Sequence, residues 1–146
     1  MSFKLQNASN LLEVFKKRSK STIITDTISK RKISYEQFLN FSLNTFKKLK
    51  TEKKIKPGDK ILISMENSVE FLVLIFACLL GGYIAVPIDP NLPENRYRKL
   101  KKMINPKIVI TKIKINKNNK KINEKLSFSK KPFLILFTSG STGEPN

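Results

Sequence analysis

The fold of this chain is decided by residues 60–111, which read KILISMENSVEFLVLIFACLLGGYIAVPIDPNLPENRYRKLKKMINPKIVIT. Three short apolar runs within this stretch, 60–65, 83–88 and 107–111, are rich in Ile and Val and predict β-strands. The two segments between them have the length of helices and carry helix start and stop signals. Strands that alternate with helices over short connections form a parallel sheet with right-handed crossovers. The sequence therefore predicts an α/β fold with a parallel β-α-β-α-β core.

The first of the two predicted helices is the more apolar. We expect it to begin at Asn67, with Glu70 three residues later as a capping partner. It is expected to end at Gly81 and Gly82, because glycine accepts the left-handed conformation that closes many helices. Residues 69–80 are apolar on nearly every side of this helix. Other elements should therefore cover it on two sides.

Start and stop signals also define the second helix and the elements upstream of the core. Pro93 suits the first position of the second helix, and Asn105 ends it. Upstream, residues 7–17 predict an amphipathic helix, and the runs 22–25 and 32–34 predict a hairpin. Another helix is expected to follow Ser34, because Gln37 lies three residues further on, as in a capping box.

Composition excludes several classes of site. The chain has 146 residues, with 29 Lys or Arg against 11 Asp or Glu, and its formal charge is +18. It contains no His, which excludes a Ser-His or Cys-His catalytic unit and a His-ligated metal within this chain. Cys78 is the single cysteine, so the chain has no internal disulfide and no multi-thiolate metal site. Its apolar neighbours predict a buried structural thiol.

The positive charge has two interpretations. The 25 Lys, 17 Ile and 13 Asn residues all have A/T-rich codons, so genome composition can produce the bias without selection for a basic surface. The alternative is a small basic protein that binds nucleic acid or an anionic surface. The Lys-rich stretch 112–131 has eight lysines, but Phe128 is its one aromatic residue, so it lacks a stacking platform for bases. We interpret it as a solvated, Lys-rich loop and expect no specific nucleic-acid partner.

No targeting segment and no membrane span are expected. Residues 1–18 contain no continuous apolar region of the kind found in secretory signals. The longest apolar stretch, 71–80, is well short of the roughly 20 residues that a spanning helix needs. The sequence therefore favours a cytoplasmic protein.

The last nine residues contain the sequence feature that indicates a chemical function. An apolar strand is predicted at 133–137, and it leads directly into TSGSTGEPN, residues 138–146. Glycines let backbone N–H groups approach an anion closely, and Ser and Thr hydroxyls add donors without bulk, so this loop suits a phosphate. It lacks the Lys and the spacing of a Walker A loop and the G-x-G-x-x-G of a dinucleotide loop. On composition alone, a flexible Ser/Gly loop remains an open alternative.

Residues 138–146 closely resemble the phosphate-binding signature of the adenylate-forming enzymes, T-S-G-[ST]-T-G-x-P-K. This superfamily includes acyl-CoA synthetases and the amino-acid adenylation domains of nonribosomal peptide synthetases. GGYIAVPIDPNLPENR, residues 81–96, is similar to an upstream core motif of those adenylation domains, and weaker matches lie at 33–35 and 65–67. The resemblance implies a partial N-terminal subdomain of the adenylate-forming fold. Residues 1–146 would then be an incomplete AMP-binding domain, truncated after the phosphate-binding loop.

The resemblance also implies an activity. In the family, ATP with Mg²⁺ activates a carboxylic or amino acid as an acyl-adenylate, and a thiol of coenzyme A or of a carrier protein then takes the acyl group. The loop holds the β- and γ-phosphates, and Asn146 stands here where the family has Lys. Asp89, Pro90 and Arg96 are interpreted as structural residues. The candidate phosphate contacts carried over from the family are Thr138, Ser139, Gly140, Ser141, Thr142 and Gly143.

No catalytic residue is assigned in this chain, because the family's adenine, ribose and acyl sites and its catalytic Lys lie downstream of the loop. We therefore expect the 146-residue chain to be inactive by itself. The leading interpretation is an N-terminal fragment of a carboxylate-activating ligase. A small basic binding protein and a split-gene subunit that pairs with a separate downstream half are the alternatives.

Overall fold

The computed structural model of the chain describes residues 8–27, 30–115 and 132–137. In chain order the elements are α1 (Ala8–Lys17), β1 (Thr22–Thr25), β2 (Lys32–Ser34), α2 (Tyr35–Thr51), β3 (Lys60–Ser64), α3 (Val69–Gly81), β4 (Ile84–Ile88), α4 (Glu94–Ile104) and β5 (Ile108–Ile110). The predicted order of strands and helices in the core is confirmed. Within the described residues, no helix is long and apolar enough to cross a bilayer.

The core is a three-stranded parallel sheet with the strand order β4-β3-β5. β3 lies at its centre, and Ile61, Leu62 and Ile63 of that strand are fully buried. The chain passes from β3 to β4 on one side and then returns across β3 to β5 on the other. Because parallel crossovers are right-handed, these two opposite steps place α3 and α4 on opposite faces of the sheet.

The two faces carry separate apolar layers. On one face, Ile61 and Ile63 pack against Leu74 and Cys78 of α3, and Leu49 of α2 belongs to the same cluster. On the other face, Leu62 of β3 and Val86 of β4 form a cluster with Leu100 and Ile104 of α4. α3 therefore lies between the sheet and α2, which is the two-sided cover that its apolar sequence requires.

α1 and the predicted hairpin complete the layer over α2 and α3. β1 and β2 pair antiparallel, as the sequence predicts. The ring of Phe15 in α1 contacts three other rings, those of Tyr35, Phe38 and Phe76, at centroid distances of 5.1, 6.1 and 5.1 Å. These ring contacts anchor α1 to α2 and α3.

Helix ends follow the sequence signals in most places. The capping box at α2 is confirmed: Ser34 Oγ accepts a hydrogen bond from Gln37 N, and Gln37 Oε1 accepts one from Ser34 N. α3 is capped at its carboxyl end by Gly82, whose φ of 64° is left-handed as expected. Asn105, with φ 48°, ends α4 in the same way.

Two predicted helix starts are wrong by one residue. The N-cap of α3 is Ser68, not Asn67, because Ser68 is extended and its Oγ accepts a hydrogen bond of 3.1 Å from Phe71 N. α4 begins at Glu94, so Pro93 occupies the cap position and not the first helical position. Asn and Ser are equally good caps, and only the path of the chain out of β3 selects between them.

Residues 133–137 run beside β4 as an extended segment and make a single parallel bridge to it, between Leu134 and Ala85. Ala85 N donates to Phe133 O at 2.8 Å, and Ile135 N donates to Ala85 O at 2.9 Å. The next residue of β4 that faces this segment is Pro87, which has no N–H to give to Ile135 O. The apolar strand predicted at 133–137 is thus present as an extended segment whose hydrogen-bond ladder is interrupted at Pro87.

Candidate functional site

Parallel strands end at one common edge of the sheet, and this is where α/β folds place their ligands. β3 ends at Ser64 and β4 at Ile88. Because Leu134 lies opposite Ala85 in a parallel register, Phe137 lies level with Ile88. The segment that precedes the predicted phosphate-binding loop therefore ends at the carboxyl edge of the sheet, level with the end of β4.

The turns after β3 and β4 diverge at this edge, since α3 and α4 lie on opposite faces. A hydrogen bond crosses the gap between the two turns: Asn91 Nδ2 donates to Glu66 Oε1 at 3.2 Å. Asn91 N also donates to Asp89 Oδ1 at 2.8 Å, which closes the turn after β4. The turn after β4 is thus held by the side chains of Asp89 and Glu66.

Asp89 and Arg96 are two of the residues of this region that we interpreted from the sequence as structural. Asp89 accepts the backbone hydrogen bond that shapes its own turn, as a structural role requires. Arg96 is exposed in the first turn of α4, where its N–H donates to Pro93 O. The Glu66–Asn91 contact was not predicted, because its partners are 25 positions apart and no local pattern joins them.

The six candidate phosphate contacts, Thr138, Ser139, Gly140, Ser141, Thr142 and Gly143, lie outside the described residues. Their assignment therefore stays a prediction, supported by the position of the segment that precedes them. In the described ranges, no group of three or more His, Cys, Asp or Glu side chains could hold a metal ion.

A cleft of about 640 Å³ lies near the same edge of the sheet, on the α2 and α3 face, and contains an ion pair. Arg31 donates two hydrogen bonds to the carboxylate of Glu70, and Asp26 lies 3.6 Å from the same guanidinium. Burial is the largest single influence on Glu70 and works against its ionisation. The hydrogen bond from Arg31, a backbone hydrogen bond and the positive charge of Arg31 together outweigh burial and hold the Glu70 pKa below its usual value. The hydrogen bond with Glu70 likewise raises the pKa of Arg31. The paired charges satisfy each other and connect the hairpin to α3.

Cys78 is not a nucleophile in this fold. Its thiol is fully buried beneath α2 and the sheet, and burial raises its pKa to about 12. A thiolate is therefore not available near neutral pH. The prediction of a buried structural thiol is confirmed.

Known proteins resemble both the sequence and the fold of this chain. The family model described as AMP-binding enzyme matches residues 12–131. Bacitracin synthase 3 of Bacillus licheniformis is 32% identical over 133 residues, which cover 80% of this chain and 2% of that protein. The chain thus spans only a small part of such curated relatives.

Solved structures share the fold at lower sequence identity. The N-terminal subdomain of NpsA from Klebsiella oxytoca, solved with anthranilyl-AMSN, superposes with a TM-score of 0.79 at 22% identity. The match covers 95% of this chain and 39% of that one. The O-succinylbenzoate coenzyme A synthetase MenE of Bacillus subtilis, solved with AMP, gives a TM-score of 0.74 at 16% identity and covers 92% and 40%. By its sequence over residues 12–131, and in agreement with this fold, the chain belongs to the AMP-binding enzyme family.

Proposed function

We propose that this chain is the front portion of an ATP-dependent ligase that activates a carboxylate, and that its loop at 138–143 holds the β- and γ-phosphates of ATP. The observation that carries the proposal is the position of residues 133–137. They run parallel to β4 and end level with Ile88, so the Ser/Thr/Gly-rich sequence that follows begins at the carboxyl edge of the sheet.

The loop residues suit the chemistry of a leaving pyrophosphate. The carboxylate of the acid attacks the α-phosphorus, the bond to the β-phosphate oxygen breaks, and negative charge accumulates on the pyrophosphate. Backbone N–H groups and the hydroxyls of Thr138, Ser139, Ser141 and Thr142 are donors that can stabilise that charge without moving. Glu66 and Asp89, in contrast, put carboxylates beside the gap between β3 and β4, which disfavours an anion there.

For the acid substrate and the thiol acceptor, we propose only the chemical class. Bacitracin synthase 3 is similar to this chain, and so is NpsA-ThdA, an artificially fused adenylation–PCP di-domain of a nonribosomal peptide synthetase. We therefore favour an amino acid or another small carboxylic acid as the substrate and a carrier-protein thiol as the acceptor, with coenzyme A as the alternative. The use of ATP fits a cytoplasmic location.

Domain exchange tests the proposal directly. The equivalent front portion of an adenylation domain of bacitracin synthase 3 is replaced by this chain, and ATP–pyrophosphate exchange is measured with that domain's own amino acid. We expect exchange from the chimera and none from the 146-residue chain alone. A matched chimera with Ser139→Ala and Thr142→Ala should lose at least about tenfold in exchange rate. A folded chimera without exchange, or one whose exchange ignores the two loop substitutions, would overturn the proposal.

A further inference from the structure

A cavity of about 350 Å³ lies at the amino edge of the sheet, on the side covered by α2 and α3. Its described lining residues come from two stretches, 46–57 and 80–83, and the structure describes both stretches in full. The first stretch leads from α2 toward β3, and the second leads from α3 into β4. Because β4 extends from Ile84 to Ile88, about 15 Å of strand separates this cavity from the carboxyl edge.

Backbone hydrogen bonds hold the walls of the cavity in place. Gly58 N donates to Gly82 O at 2.8 Å, which joins the turn before β3 to the turn before β4. The carboxylate of Asp59 closes the first of these turns, since its Oδ2 accepts from Lys56 N at 2.8 Å. Asp59 O in turn accepts from Ile84 N at 2.9 Å. The backbone therefore preforms the cavity, as is usual for sites that bind small molecules.

The cavity combines a basic rim with an apolar floor. The rim carries three exposed lysines, Lys50, Lys54 and Lys56, and none of the described lining residues is acidic. The methylene groups of such lysines add apolar surface above the floor. The floor consists of buried side chains of the core, namely Phe46, Ile55, Leu80 and Tyr83.

Two of the lysines are held at the rim by the local structure. Lys50 Nζ lies 5.7 Å from the ring centroid of Phe46, so its ammonium group is above the floor. Lys54 has a left-handed backbone with a φ of 53°, a conformation that glycine adopts more easily than lysine. The chain thus places a cation where glycine would be the less strained residue, and strained residues of this kind cluster at functional sites.

We propose that this cavity binds a small organic anion with a compact apolar body, the anionic group at the three lysines and the body over the floor. Ammonium groups donate hydrogen bonds and carry positive charge, so they select an anionic acceptor. The volume is near the lower end of the range for ligand pockets, which suits a body of one or two rings. The site is separate from the loop at 138–143, and the proposal does not depend on the proposed function.

Amide chemical shifts of the 146-residue chain, titrated with 2-naphthoate in about 0.15 M salt, test the proposal. We expect saturable shifts of the amides of 54–56 and 81–83, with a dissociation constant of about 1 mM or below. Two matched compounds separate the two parts of the ligand. The amide 2-naphthamide keeps the apolar body without the charge, and acetate keeps the charge without the body. Each should bind at least about tenfold more weakly than 2-naphthoate.

A pair of substitutions separates loss of the site from loss of the fold. Lys54→Gly removes a rim cation and also relieves the left-handed backbone, so the variant should remain folded. Combined with Lys56→Gln, it should weaken the binding of 2-naphthoate by at least about threefold. The matched control combines Lys99→Gln with Lys102→Gln, which remove the same charge from exposed positions of α4, on the other face of the sheet. The control should bind like the parent, and circular dichroism verifies that both variants are folded.

Three results would overturn the proposal. One is the absence of saturable shifts at 54–56 and 81–83. Another is equal binding of 2-naphthamide or of acetate, because apolar contact or charge attraction alone would then explain the shifts. The third is an equal change of affinity in the two double variants. None of these results depends on phosphate binding at 138–143, so this proposal and the proposed function can fail separately.

Discussion

Arg31 donates two hydrogen bonds to the carboxylate of Glu70, at 3.1 and 3.2 Å, and so connects the residue before β2 to the first turn of α3. The two residues are 39 positions apart in the sequence. Both side chains are partly exposed, at 42% and 25%, so water weakens the attraction between them. The contact therefore matters chiefly for how the hairpin is held against the parallel core.

Replacing Arg31 by Lys should cost about 0.5 to 1 kcal/mol of unfolding free energy, because an ammonium group cannot form both hydrogen bonds at once. Chemical denaturation measures the change. Arg98→Lys serves as the control, since Arg98 pairs with Glu94 on the exposed face of α4, and its effect should be close to zero. Equal losses for the two variants would show that the geometry of the Arg31–Glu70 pair contributes nothing.

The same pair predicts a loss of stability in acid. The Glu70 pKa is lower in the folded chain than in the unfolded chain, so the unfolded state takes up a proton first as the pH falls. The contribution of Glu70 is complete above its unfolded pKa of about 4.3 and is lost as the pH falls through the folded pKa. Glu70→Gln should be less stable than the parent near neutral pH and should converge with it as the pH falls through the folded Glu70 pKa. Parallel denaturation curves across this range would contradict the assignment.

Local signals in the sequence predicted the helices and strands. The features that were not predicted depend on contacts between residues that are distant in the sequence. Ser34 and Gln37 are close neighbours whose capping box depends on nothing else, so that prediction is confirmed. The choice between Asn67 and Ser68 at the start of α3 depends on the exit of the chain from β3, and it was wrong. The Glu66–Asn91 contact joins two turns that only the strand order brings together.

In the segment 133–137, too, a local signal predicted part of the structure and a contact with another strand determined the remainder. The apolar residues of this segment predict a strand, but the structure has an extended segment with a single bridge to β4. The interruption follows from Pro87 in β4, which no pattern within the segment reveals. The loop residues Thr138 to Gly143 lie outside the described part of the chain, and the role proposed for them rests on the sequence resemblance and on the position of Phe137, which precedes them.

Gly81 is expected to tolerate no side chain. A Cβ at this position would overlap the ring of Tyr83, which is buried and lies against Phe46 with a centroid distance of 6.1 Å. Gly81→Ala should therefore cost about 1 to 3 kcal/mol, because neither ring can move freely. Gly58→Ala is the matched comparison: its φ is +89° and nothing lies within 4 Å of the new Cβ, so its cost is conformational only. Thermal unfolding of both variants distinguishes overlap from backbone strain, and an unaltered Tm for Gly81→Ala would refute the predicted overlap.

Cys78 should resist thiol reagents in the folded chain. Its pKa of about 12 and its burial leave almost no accessible thiolate at pH 8. We expect labelling by a disulfide reagent only after denaturant is added, at a rate that follows unfolding. Stoichiometric labelling of the native chain within minutes would mean that α3 does not cover this residue.

The interaction of the 146-residue chain with tripolyphosphate, followed by amide chemical shifts, tests the central claim most directly. The chain carries lysines throughout, but none lies in residues 138–143. General attraction between lysines and phosphate would therefore shift amides near the lysines, whereas a phosphate-binding loop would shift the amides of 138–143. We expect the amides of these six residues to shift in a saturable way in about 0.15 M salt, and the same shifts in a Lys120→Glu, Lys121→Glu variant. Affinity should be weak and salt-sensitive, because no other part of an ATP site is assigned in this chain. Shifts confined to lysine-rich segments, with the amides of 138–143 unchanged, would contradict the claim that this loop binds phosphate.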